Sequence, residues 1–237
     1  WIGVAAGLAV VAGLGALALT LRPVALDPDT LCRMGQAPRA HTLVLVDATD
    51  PLEARHRRAL EALATQEANR LQPGDRFSIV AVHADTPREP TRLFSRCHPG
   101  DGRAVNPLTG NPKQADARYA DAFLQPLTQA LKRAQSPRQA GDQSPLTETL
   151  RAVAADPGFQ DTAIRRLILV SDLLEYTPEG TNTYSDAPVT QPRPAALAGT
   201  TVRLIVIDRP DLEARQDRAL AELWQPFLTA SGAAEIS

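Results

Sequence analysis

The sequence predicts a doubly wound α/β domain, a mostly parallel sheet flanked by helices, preceded by one membrane-spanning helix. Three observations predict it. Leu43-Val44-Leu45-Val46-Asp47 and Leu167-Ile168-Leu169-Val170-Ser171-Asp172 are continuous apolar, β-branched runs that end in a carboxylate. A run without alternation reads as a strand covered on both faces, as in a parallel sheet with helices on each side. Segments of helical periodicity lie between the strand-like runs, which is the order that βαβ units require. Residues 1–21, from Trp1 to Leu21, carry no charge, and about 20 such residues span a bilayer as a helix.

The elements follow in order. Residues 1–21 are the expected transmembrane helix, with Trp1 at one interface and Arg22 at the other. The run is too long for a signal-peptide core and no charged segment precedes it. Gly3 and Gly7 form a GxxxG pair that lets two helices approach closely, giving self-association or a membrane partner, or else reflects ordinary Gly/Ala usage. Residues 22–40, with Pro23, Pro28 and Pro38, read as a linker, and 41–237 as the α/β domain. Within it, strands are expected over 42–47, 77–82 and 91–95 (short), then over 164–171 and 201–208, with a last one starting at 234. Helices are expected over 51–71, with an apolar face of Leu52, His56, Ala59, Leu60, Leu63 and Leu71, over 115–134, and over 212–230. Ser144-Pro145 opens a further helix, Ser as its cap and Pro at its first position. Two long loops remain, 84–114 around a short strand and 177–194, both rich in Pro and Gly or Thr.

Composition narrows the function. Lys+Arg 25 against Asp+Glu 27 gives a net charge of -2, and aromatics are 4%, so the chain has neither the basic field nor the stacking platform of a nucleic-acid binder. Cys32 and Cys97 are the two cysteines, the minimum for one disulfide and so for an oxidising compartment; the other reading is two unrelated thiols. No CxxC, P-loop, G-x-G-x-x-G after the first strand or G-x-S-x-G elbow occurs. Of the histidines His41, His56, His83 and His98, only His98, in the Cys97 loop, stands out for testing.

In a doubly wound sheet the carboxyl ends of the strands face the ligand crevice. Three segments meet there: Asp47-Ala48-Thr49-Asp50-Pro51, Ser144-Pro145-Leu146 through Leu150, and Ser171-Asp172-Leu173. Hydroxyls of Thr49 and Ser144 and carboxylates of Asp47 and Asp172 make an oxygen set suited to a hard cation such as Mg²⁺, leaving a position open for an acidic group of a partner. The alternative is that these side chains only cap helices and strand-end amides.

This pattern resembles the von Willebrand factor A (VWA) domain, whose metal-ion-dependent adhesion site is built from Asp-x-Ser-x-Ser, a separate Thr and a later Asp. By position Asp47 matches the first acid, Thr49 the first hydroxyl, Ser144 the Thr and Asp172 the last acid. Pro51 stands where the second Ser belongs, and Leu173 where a Gly usually follows the last Asp, so the metal site is degenerate. Together with the expected transmembrane helix over residues 1–21, the resemblance implies a membrane-anchored protein-binding module, a subunit or adaptor of a membrane complex and not an enzyme. Mg²⁺ would assist an acidic contact, with Asp50, Glu175 and Tyr176 near the crevice and the two long loops as its rim. The domain is then expected on the extracytoplasmic side. Two other readings stand beside it: a Mg-dependent phosphoryl-transfer enzyme or hydrolase using Asp47, and a structural subunit assembling through its transmembrane helix. The sequence offers no general base, phosphate-binding Lys or Gly-rich cradle beside the acids for the first of these.

Overall fold

The computed structural model describes residues 25–84, 86–108, 110–135, 143–178 and 180–237. The expected transmembrane helix and its Gly3/Gly7 pair lie outside them. Among the described residues no helix is long and apolar enough to cross a membrane.

Six strands form one sheet in the order β3-β2-β1-β4-β5-β6. They are β1 (Ala40–Asp47), β2 (Arg76–Val82), β3 (Thr91–Cys97), β4 (Ile164–Ser171), β5 (Thr200–Val206) and β6 (Glu235–Ile236). All pairs are parallel except β2–β3, which is antiparallel. Every residue of β1 is buried. Leu43 and Leu45 enter one core with Leu167, Leu169, Leu223 and Trp224, while Val44 and Val46 enter a second with Leu60, Leu63, Phe77 and Phe123. The unalternating run is thus explained by helices on both faces of the sheet.

The helices are α1 (Ala54–Arg70), α2 (Pro112–Tyr119), α3 (Gln125–Ala134), α4 (Leu146–Ala154), α5 (Pro157–Gln160), α6 (Glu213–Ala219) and α7 (Gln225–Ala230). The helix expected from residue 51 starts later. Leu52 is drawn into the core at 6% exposure and its carbonyl is taken by Arg57, which leaves Glu53 extended as the N-cap. Ala59 is exposed, not on the buried face.

Single turns of π-helix, Ala120–Leu124 and Leu220–Trp224, join α2 to α3 and α6 to α7. Each precedes a proline, Pro126 or Pro226. Proline has no N–H for the carbonyl four residues back, and its ring crowds that carbonyl. The two freed carbonyls find side chains instead: Ala122 O accepts from Arg96 and Glu222 O from Gln191. The helix expected over 115–134 therefore runs on through its proline, and so does the final one.

Residues 25–40 are more than a linker. Asp27 accepts from the amides of Asp29 and Thr30, Cys97 N donates to Thr30 O, and Cys32 is disulfide-bonded to Cys97 at the end of β3.

Candidate functional site

The register aligns the ends of β1 and β4. Val46 lies beside Val170, so Asp47 and Ser171 are the next neighbours, and the Ser171 hydroxyl donates to Asp47 Oδ2 at 2.8 Å. Asp47 Oδ1 accepts from the Thr49 amide at 3.1 Å and the Thr49 hydroxyl at 2.6 Å, a local turn that folds the loop back over its own strand. Thr49 Oγ1 lies 3.4 Å from Ser144 Oγ. Ser144 is held by main-chain bonds in both directions to Tyr176. It does not cap the next helix as expected; Pro145 occupies that position and caps nothing with its side chain. Asp172 Oδ1 accepts from the Leu174 amide at 3.0 Å, and Oδ2 lies 3.3 Å from Arg209 Nε. Asp47, Thr49, Ser144 and Asp172 are thus gathered at one end of the sheet, all buried.

Of the residues expected to meet a partner, Asp50 is exposed on the rim, where its carboxylate pairs with Arg209 Nη2 at 2.9 Å. Tyr176 lines the crevice, a cavity of about 340 Å³, together with Thr49, Asp50, Ser144, Asn182 and Tyr184. Glu175 is a correction. It is 2% exposed and faces inward, accepting from the Thr147 amide at 3.2 Å and the Thr147 hydroxyl at 2.6 Å. Its carboxylate thereby serves the first turn of α4, which has no cap of its own. The rim is corrected too. Residues 177–194 border the crevice through Asn182 and Tyr184. The segment after Cys97 lies at the opposite end of the sheet, because β3 runs antiparallel and Cys97 pairs with Arg76 at the start of β2. His98 goes with it, buried, its Nδ1 accepting from the Gly100 amide and its ring against Tyr119 and Phe123.

Burial sets the electrostatics. Desolvation raises the pKa of Asp47 against the hydrogen bonds of Thr49 and Ser171. Desolvation and then the nearby Asp47 charge push Asp172 up to about 6. Glu175 is pushed to about 8, chiefly by desolvation. Tyr184 reaches about 12, because burial and the charges of Asp172, Asp50 and Asp47 disfavour a phenolate.

Three contributors escape the sequence reading. Ser171 is one. Arg209 and Gln216 are the others, and they act from beyond β5. Gln216 Nε2 donates to the carbonyls of Asp172 and Ile207, while its Oε1 accepts from the Arg209 amide. The signal for Arg209 was its place just past a strand adjoining β4, which delivers it to the same rim.

A hard cation asks for an octahedral array of free oxygens. Here both oxygens of Asp47 already accept hydrogens, and Asp172 faces an amide and a guanidinium. Pro51 supplies no donor. Among the described residues no group of three or more His, Cys, Asp or Glu side chains could hold a metal ion. With Asp172 already paired to the Arg209 guanidinium and Pro51 supplying no side-chain oxygen, the set falls short of the free oxygens that a resident Mg²⁺ takes.

Leu173, where the resembled motif carries glycine, has φ 65°, in the left-handed region that disfavours a branched side chain. Its carbonyl accepts from the buried Trp224 indole at 2.9 Å and its amide donates to Ser171 Oγ at 2.9 Å. Packing and hydrogen bonds hold this turn where glycine is absent.

No protein-family model matches the chain, and no curated protein sequence matches it. Among solved structures the chain is similar to a von Willebrand factor type A structure from Catenulispora acidiphila, at 12% identity and a TM-score of 0.39. That overlap covers 78% of this chain and 42% of the other, so the chain spans less than half of that protein's length. So loose a likeness assigns no family.

Proposed function

We propose that the chain is a VWA-like protein-binding module, anchored to a membrane by residues 1–21, that presents the crevice at the ends of β1 and β4 to a partner subunit. The observation that carries this reading is the convergence of three loops, distant in sequence, on one open cavity whose walls mix two tyrosines, two amides, two hydroxyls and a carboxylate. Such a mixture suits a protein surface. The acids beneath the cavity are buried and engaged in internal hydrogen bonds with the hydroxyls of Thr49, Thr147 and Ser171, which favours binding at the cavity wall over catalysis by the acids. The Cys32–Cys97 bridge supports placing the domain in an oxidising, extracytoplasmic compartment.

The test is capture of the tagged chain from solubilised native membranes, comparing wild type with Tyr184→Ala and with Gly3→Leu/Gly7→Leu. The crevice reading expects a partner that Tyr184→Ala loses and the glycine variant keeps. The opposite pattern would assign assembly to the transmembrane helix.

A further inference from the structure

Arg209 lies in the β5 exit loop, beside Asp50 of the crevice wall. Its Nη2 is 2.9 Å from Asp50 Oδ2, in the loop after β1, and its Nε is 3.3 Å from Asp172 Oδ2, in the loop after β4. The Nε is buried and makes no aligned hydrogen bond, so its contact with Asp172 is one of charge. The main chain is fixed as well, because the Arg209 amide donates to Gln216, which in turn grips the Asp172 carbonyl. Two carboxylates, those of Asp50 and Asp172, thus flank one guanidinium, and the Asp47 charge lies near Asp172. Like charges gathered in a partly dry site are relieved by taking up protons or by a neighbouring cation, and Asp172 has a guanidinium beside it. A guanidinium is permanently charged, planar and weakly hydrated, so it bridges two carboxylates at lower desolvation cost than an ammonium would.

We propose that Arg209 is the resident cation of this crevice: its guanidinium ties the Asp172 loop to the Asp50 loop in the role a divalent ion would play, so the crevice is assembled without Mg²⁺. This rests on reading the crevice as the binding face, but its test needs no partner. Thermal unfolding and calorimetric titration with MgCl₂ are run on the wild type, Arg209→Gln, Arg209→Lys and the double variant Arg209→Gln/Asp172→Asn. The wild type and Arg209→Lys should neither take up Mg²⁺ nor change Tm with it. Arg209→Gln should melt lower by at least ~2 °C, a shift that an ion-pair loss of about 1 kcal/mol produces in a chain of this size. That loss should be recovered by Mg²⁺ entering the vacated position, or by the Asp172→Asn change, which removes the need for a cation. If Arg209→Gln fails to fold, folding of the double variant supports the proposal and its failure overturns it. Mg²⁺ binding by the wild type, an unchanged Tm in Arg209→Gln, or a loss rescued by neither route would each overturn it. Retention of the partner by Tyr184→Ala would overturn the crevice reading and leave this result untouched, so the two readings fail separately.

Discussion

The side-chain amide of Gln216 donates to the main-chain carbonyl of Asp172 at 2.9 Å, across 44 residues of sequence. The same side chain serves the Ile207 carbonyl and the Arg209 amide, so one buried residue sets the spacing of the two loops that carry Asp172 and Arg209. Gln216→Ala leaves two carbonyls and one amide to find new partners. A buried polar group left unpaired costs roughly 1–3 kcal/mol. Chemical denaturation should show the variant destabilised by about that amount or more. A variant within ~0.5 kcal/mol of wild type, the range of neutral surface changes, would mean that water or another side chain replaces Gln216 without loss.

Leu173 holds a positive φ without being glycine. Removing its buried side chain should cost about 2–5 kcal/mol through the cavity left behind. A left-handed backbone costs a non-glycine residue roughly 1–2 kcal/mol, and glycine is spared that cost. Leu173→Gly should therefore melt above Leu173→Ala, the reverse of the usual order inside regular structure. Finding alanine the more stable of the pair would place this turn in ordinary backbone space.

Glu175 gives the fold a pH dependence of definite sign. Burial lifts its pKa from 4.5 to about 8, so between those values the folded chain holds a proton that the unfolded chain has released. Stability from this group is full below pH 4.5 and declines as pH rises to about 8. Asp172, pushed to about 6, adds a decline of the same sign lower down. His41 opposes both: burial lowers its pKa from 6.5 to about 4, so its contribution rises with pH across that span. Glu175→Gln isolates the first effect. Its Tm should match the wild type's below pH 4.5 and exceed it by a margin that grows up to about pH 8. A margin independent of pH would show that Glu175 is ionised in the folded chain.

The sequence carried the sheet better than it carried the site. Runs such as Leu43–Val46 and Leu167–Val170 are legible because burial on both faces removes alternation, and their terminal aspartates mark the rim because parallel strands end together. Glu175 misleads, since its neighbour Asp172 is at the crevice while its own partner, Thr147, lies 28 residues away on another element. Arg209 and Gln216 are ordinary polar residues until β5 is placed beside β4. Ser144-Pro145 has the spelling of a helix start, yet the serine is spent on pairing with Tyr176. The antiparallel turn of β3 had no local signature, and it carries the part of the expected rim after Cys97 to the far pole.

The disulfide should contribute to stability through the loop it closes, since Cys32 and Cys97 are 65 positions apart. Closing a loop of that size restricts the unfolded chain by about 4 kcal/mol in the entropic account, with engineered and natural examples often nearer 2. Alkylation of the unreduced, denatured chain should label neither cysteine, and reductant should lower the Tm by several degrees. Labelling of both cysteines before reduction would remove the staple and, with it, the support for an oxidising compartment.

In the proposed function a partner protein sits in the crevice walled by Tyr176, Asn182 and Tyr184. Site-specific photo-crosslinking in native membranes tests it most directly, with the reactive side chain placed at Tyr184 or, as a control, at Leu108, which is 92% exposed in the segment at the far pole. Position 184 should yield one discrete adduct that persists in EDTA, and position 108 should not yield it. No adduct from position 184, or the same adduct from both positions, would show that the crevice is not the binding face.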